Sequence, residues 1–136
     1  MGHLRQVQRL TLEAARAMAD AAEAFARERQ WVVAVAVVDA AGGLQYFACL
    51  DDTQPASQDI AIDKARTAAR FKRPTKALED AVAGGRVALL SVGAVVLDGG
   101  LPVLVDGRVI GAIGVSGMAS AQDGEVAQAG LAALRP

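Results

Sequence analysis

Apolar residues recur at alternating three- and four-residue steps from Leu12 to about Arg29. Ala15, Met18, Ala22 and Phe25 share one side, and Arg16, Asp20, Glu23 and Arg27 the other. This period predicts an amphipathic helix. Thr11 is its expected N-cap, and Glu13 in the first turn faces the positive end of the helix dipole. From Trp31 to Val38 the chain is a continuous apolar, largely β-branched run, the pattern of a strand covered on both faces. Asp39-Ala-Ala-Gly-Gly turns it back into a second strand, Leu44 to Leu50, so the pair is a hairpin. After the polar loop Asp51 to Pro55, a helix is expected from about Ala56 to Lys72, stopped by Pro74. Its Ala61, Ala65, Ala68 and Ala69 suit close packing on a sheet. Thr75 is the expected cap of a short helix, Lys76 to Ala83, which Gly84-Gly85 ends.

The second half reads as strand-rich. Val87 to Val92 fits a strand or an irregular lead-in, and Ala94 to Leu97 is a further apolar run before Asp98-Gly99-Gly100. Leu101 to Val105 and Arg108 to Val115 are strands around Asp106-Gly107, a type I′ turn pair. Ser120 with Asp123 three residues on has the spacing of a capping box for a last helix, Ala121 to Leu134. Hairpins dominate, so the sheet is expected to be antiparallel and the class α+β.

The length of 136 residues fits one domain, residues 1–136, with 1–9 as a flexible lead. Hydrophobic residues make up 53 %, drawn mainly from Ala and Val, which excludes a disordered chain. Only 4 % are aromatic, so apolar area per residue is small and a homo-oligomer, tetramer or larger, is expected to cover more of it. With 14 basic against 15 acidic side chains, binding to nucleic acid through bulk positive charge is not expected. The single Cys49 excludes an internal disulfide, and no Cys/His cluster has zinc spacing. Neither a membrane span nor a signal-peptide stretch is evident, so a cytoplasmic protein is expected.

Candidate chemistry falls in two places. Lys64 to Lys76 holds Lys64, Arg66, Arg70, Lys72, Arg73 and Lys76 and no acid, which reads as an anion site or as a solvated helix face. Gly111, Gly114 and Gly117 are spaced G-x-x-G-x-x-G, but on a strand after a hairpin, not in the βαβ setting of a dinucleotide fingerprint. Gly114 is expected to let a helix meet the strand. Ser116-Gly117, at a strand end before a helix, reads equally as a cap and as N–H groups facing an oxyanion. His3 is the one histidine and lies in the N-terminal lead. Asp51, Asp52 and Asp98 are explained by turn chemistry, and Cys49 by its size and apolar character.

Several strings occur in order along the chain. They are Leu10-Thr11-Leu12, Val37-Val38-Asp39 with Gly42-Gly43, Ala61-Ile-Asp-Lys-Ala-Arg-Thr-Ala-Ala-Arg-Phe71, Arg73-Pro74-Thr75, Gly99-Gly100-Leu-Pro102, and Asp106 to Gly117 with Gln122-Asp123 beyond. Together they resemble the GlcG/HbpS-like haem-binding ("haem-degrading") family, which includes the C-terminal domain of PduO-type proteins. The resemblance implies a five-stranded antiparallel sheet flanked by helices, profilin-like, in the order α-β2-α2-β3-α, and a homo-oligomer. It implies a small-molecule-binding protein whose anionic ligand is haem or a small carboxylate. The alternative is a small cofactor-independent enzyme, a hydrolase, deaminase or tautomerase, acting on an organic acid. The pocket residues carried over are Lys64, Arg66, Thr67, Gly100, Pro102, Ser116 and Gly117, with Arg66 and the Ser116-Gly117 amides receiving a carboxylate. Two departures bear on this. Met118 and Ala119 stand where the family continues with glycine and threonine, and the folded part has no histidine for an iron. Met118, Cys49 or a weak oxygen ligand are then the candidates for the iron; without one of these, haem would rest on apolar contact and on arginines pairing its propionates.

Overall fold

A computed structural model describes residues 2–134. Its elements are α1 (Leu12–Glu28), β1 (Ala34–Asp39), β2 (Leu44–Cys49), α2 (Ala56–Phe71), α3 (Thr75–Ala83), a 3-10 turn (Val87–Ser91), β3 (Gly100–Val105), β4 (Arg108–Ser116) and α4 (Ser120–Ala132). The strands form one antiparallel sheet in the order β2-β1-β4-β3. The expectation of five strands is therefore corrected to four among the described residues. The stretch taken as the extra strand winds into the 3-10 turn and then runs irregularly to Asp98. Val87 and Leu90 are 65 % and 62 % exposed there, so no facing layer rewards an extended run. Left-handed glycines on both sides, Gly85 (φ +109°) and Gly93 (φ +75°), set this segment off from its neighbours.

β1 shows why the sheet has helices on both faces. Val33, Val35 and Val37 pack with Met18, Ala22, Ile113, Val115 and Val126 in a core shared by α1 and α4. Ala34, Ala36 and Val38 turn the other way, onto Ala61, Ala65, Ala68 and Ala112 beneath α2. The period of two thus separates a valine face from an alanine face. Small residues on the second face bring the α2 backbone close. A Cβ on Gly114 would strike the Ala61 carbonyl, as expected of a glycine where a helix meets a strand.

Several local expectations hold. Thr11 accepts the Ala14 N–H at 3.1 Å, and Asp106-Gly107 turns with both φ angles positive, as a type I′ turn requires. Two caps are corrected. At α4 the N-cap is Ala119, whose N–H is taken by Gln122 (3.2 Å), because the Asp123 carboxylate is drawn inward to other partners. Thr75 does not cap α3; its hydroxyl accepts the Gly100 N–H at 2.9 Å and so fixes the start of β3. Among the described residues no helix is long and apolar enough to cross a membrane.

Candidate functional site

Lys64 is the one long side chain on the buried face of an otherwise small-residue stretch of α2, and it is 1 % exposed. Its Nζ donates to the Val115 carbonyl and to Asp123 Oδ2, both at 3.0 Å. Asp123 Oδ1 accepts the Met118 N–H at 2.9 Å. This buried pair joins α2, the end of β4 and the first turn of α4. Gly99 (φ +129°) lies directly above it, since a Cβ there would sit 2.8 Å from Nζ. Burial pushes the Asp123 carboxyl upward, against the pull of the Lys64 ammonium and the Met118 and Gly117 N–H groups.

Nearer the surface, Glu79 accepts the Ser120 hydroxyl at 3.0 Å, the Asp98 N–H at 3.3 Å and Lys76 Nζ at 3.2 Å. Its burial raises its pKa, yet these donors together hold the carboxyl below its usual range. Asp98 differs: its half-buried carboxyl is pushed up by burial, which outweighs the Gly99 N–H and is aided by the Glu79 charge. A folded pKa above the unfolded value means the fold favours protonated Asp98. That contribution is complete below the unfolded pKa of about 3.9 and is lost as pH rises through the folded value. Asp98→Asn removes the loss. The variant is expected to melt with the wild type near pH 3 and above it at pH 7; a wild type that melts at or above the variant at pH 7 would refute this account.

Of the seven residues expected to form a pocket, Gly100 and Gly117 lie against Lys64 and its partner Asp123, next to Ser116, but Arg66 and Pro102 are not part of that cluster. Lys64, Thr67, Gly100 and Ser116 are buried. The Thr67 hydroxyl donates to the Asp63 carbonyl (2.7 Å) and accepts the Val95 N–H (3.0 Å), pinning the irregular segment onto α2. Arg66 Nε donates to the Gly42 carbonyl at 3.0 Å, beside Arg70 Nε on the Ala41 carbonyl, so both guanidinium groups hold the β1–β2 turn. That turn follows Asp39, which pairs with Gly111, whereas Ser116 pairs with Ala34 at the other end of β1. Arg66 and Ser116 thus stand at opposite ends of the sheet. A Cβ on Gly117 would meet the main chain of Val32 and Val33. Pro102 alone of the seven borders the open surface described next.

That surface lies where the N-terminal segment crosses the sheet. Residues 4–11 have no helix or strand, and Gln45 Nε2 on β2 holds the segment by donating to the Leu10 carbonyl at 2.8 Å. On one side of it is an apolar groove of about 610 Å³, walled by Leu10, Pro102, Leu104, Ile110, Leu131 and Leu134. On the other side is a cavity of about 640 Å³ that carries Arg5, Arg9, Lys72 and Arg108. Arg9, Leu10, Leu104 and Ile110 border both. Of these cations only Lys72 belongs to the basic run of α2; Arg5, Arg9 and Arg108 are isolated in the sequence. No spacing links residues about a hundred positions apart; the crossing of the N-terminal segment over the β3–β4 hairpin sets them around one space.

A family model described as haem degrading protein HbpS-like matches residues 10–132. GlcG of Escherichia coli (strain K12) is 42 % identical over 108 residues, 79 % of this chain and 81 % of that protein. The crystal structure of HbpS superposes with a TM-score of 0.92 at 36 % identity, covering 100 % of this chain and 97 % of the other. A crystal structure of a PduOC:heme complex gives a TM-score of 0.85 at 32 % identity, over 94 % of this chain and 96 % of that one. With the family model spanning nearly the whole sheet and all four helices, the chain belongs to the HbpS-like, haem-degrading protein family.

Proposed function

We propose that this protein binds haem in the groove between the N-terminal segment, the β3–β4 hairpin and the last helix. One observation carries the reading. An apolar groove walled by Leu10, Pro102, Leu104, Ile110, Leu131 and Leu134 opens directly beside a cationic cavity. A flat macrocycle that is apolar in its body and anionic at one edge needs that pairing of surfaces. The existence of a haem complex of a relative with the same fold supports the class of ligand. Haem, when bound, supplies a redox-active iron; the chain supplies the apolar walls and excludes water from them. Neither Met118 nor Cys49 borders the groove or the cavity, so contact and charge hold the ligand in this reading. The exposed Val87, Leu90, Val92 and Leu97 supply apolar area for another copy to cover, which supports the homo-oligomer, with its size left to light scattering.

Absorbance titration tests the reading. Haem is expected to shift its Soret band saturably at one equivalent per chain. Leu104 is 59 % exposed, so Leu104→Asp is expected to leave the melting temperature in place while weakening haem at least tenfold. Unsaturable binding, or a Leu104→Asp protein that binds as the wild type does, would overturn the assignment.

A further inference from the structure

A second groove, of about 560 Å³, runs along α4 and shares no residue with the groove and cavity described above. Gly124, Gln128, Ala129 and Ala132 recur at helical steps on one side of α4, and Phe25 of α1 and Leu101 of β3 also wall the space. The charged residues at its border are Asp98 and Glu125; among the described residues no lysine or arginine borders it. Arg29 lies over the Phe25 ring, 3.4 Å from its centroid, but is paired with Glu28. This groove is therefore apolar in its walls and acidic at its edge.

Asp98 gives the groove its chemistry. Its carboxylate rests on α4 at Gly124, where a Cβ would sit 2.5 Å from Oδ1 and 2.6 Å from Oδ2. Alanine suits a helix interior better than glycine, so Gly124 weakens α4 and in return makes the seat for the carboxylate. The seated group accepts the Gly99 N–H but, among the described residues, makes no ion pair, whereas Asp123 has Lys64 and Glu79 has Lys76. Lys64 and Lys76 reach Asp98 only through space, and the Glu79 charge repels it. Burial prevails over them, so an ionised Asp98 at neutral pH costs the fold stability. A half-buried acid with its own seat, a cost to the fold and no internal counterion is suited to an external one.

We propose that this groove binds a small organic cation, a primary ammonium ion on an apolar body, with the ammonium on the Asp98 carboxylate and the body against Phe25, Leu101 and α4. A primary ammonium carries three N–H donors, and the carboxylate accepts them in charge-assisted bonds that partial burial strengthens. The apolar walls add affinity by taking hydrocarbon out of water. A carboxylate or phosphate ligand is repelled by Asp98 and Glu125, so this groove and the cationic cavity take ligands of opposite charge. Haem has no part in this reading, which is tested separately from it.

The experiment titrates the full chain at neutral pH and low salt with hexylammonium, hexanol and hexanoate, followed by calorimetry and by backbone amide chemical shifts. The three probes share one hydrocarbon body and differ in charge. Hexylammonium is expected to saturate, to move the Gly124 and Leu101 N–H signals, and to bind at least about tenfold more tightly than hexanol. Hexanoate is expected to move neither signal. Asp98→Asn keeps the shape and removes the charge. It is expected to bind hexanol as the wild type does and hexylammonium at least about tenfold less tightly. Gln128→Lys sets a cation on the exposed rim and is expected to weaken hexylammonium with the melting temperature unchanged. Equal affinity for hexylammonium and hexanol would overturn the site, as would either variant binding hexylammonium like the wild type. Shifts confined to residues away from α4 and β3, or no saturation by hexylammonium, would overturn it as well.

Discussion

Replacing Lys64 by methionine is expected to destabilise the fold by about 3–5 kcal/mol, the cost of breaking a buried ion pair from one side. The stem of the lysine is matched in volume, so little cavity is made. What is lost is the ammonium at 3.0 Å from Asp123 Oδ2 and from the Val115 carbonyl. Asp123, with its side chain 2 % exposed, is then left as a buried carboxylate facing an apolar thioether. Its pKa, already pushed up by burial, rises further, and the fold must take up a proton or open. Thermal unfolding at pH 7 is expected to shift by ~10–20 °C. The double variant Lys64→Met/Asp123→Leu removes the stranded charge and is expected to recover part of the loss, although the Met118 N–H then lacks its acceptor. A single variant within 1 kcal/mol of the wild type, or a double variant worse than the sum of the two singles, would show that the pair does not hold α2 to α4.

The same pair shows how far the sequence could be read. Lys64 is a cation embedded in a small-residue helix, and that much is visible in the sequence. Its partner lies 59 positions away on another helix, and a second carboxylate, Asp98, also lies near enough to feel its charge. Nothing local distinguishes a buried ammonium committed to a carboxylate from one waiting for a ligand. Arg66 illustrates the same limit, because its acceptor is a main-chain carbonyl, Gly42, which carries no signature in sequence. β1, by contrast, was legible: a continuous apolar run is what a strand with helices on both faces must be. So was the Asp106-Gly107 turn, whose residue types answer to the backbone angles alone. The extra strand failed because Val87 to Leu97 is apolar without being buried, and residue type records the first property and not the second. The cationic cavity was invisible for a topological reason, since Arg5 and Arg108 meet only through the crossing of the N-terminal segment over the hairpin.

Gly114→Ala is expected to be the most damaging single methyl addition in the sheet. Gly114 sits on β4 between Ala36 of β1 and Gly100 of β3, on the face that α2 covers. Its new Cβ would strike the Ala61 carbonyl and the Ala65 N–H. These are main-chain atoms inside a helix, so no rotamer change relieves the contact, and α2 itself must move away from the sheet. Overpacking of this kind costs about 1–3 kcal/mol, and a rigid neighbour places this site at the upper end. The displacement also draws Lys64, on the same helix, from Asp123 and Val115, adding part of the ion-pair loss to the steric one. Gly107→Ala is the control: it has φ +76° and open space around it, so it carries only the left-handed cost of about 1–2 kcal/mol. Urea unfolding of the two variants is expected to give Gly114→Ala the lower midpoint by a clear margin, with the denaturant slope unchanged. A Gly114→Ala protein as stable as Gly107→Ala would mean that α2 is not seated on the sheet at van der Waals contact, and that the alanine face does not set the distance at which Lys64 meets Asp123.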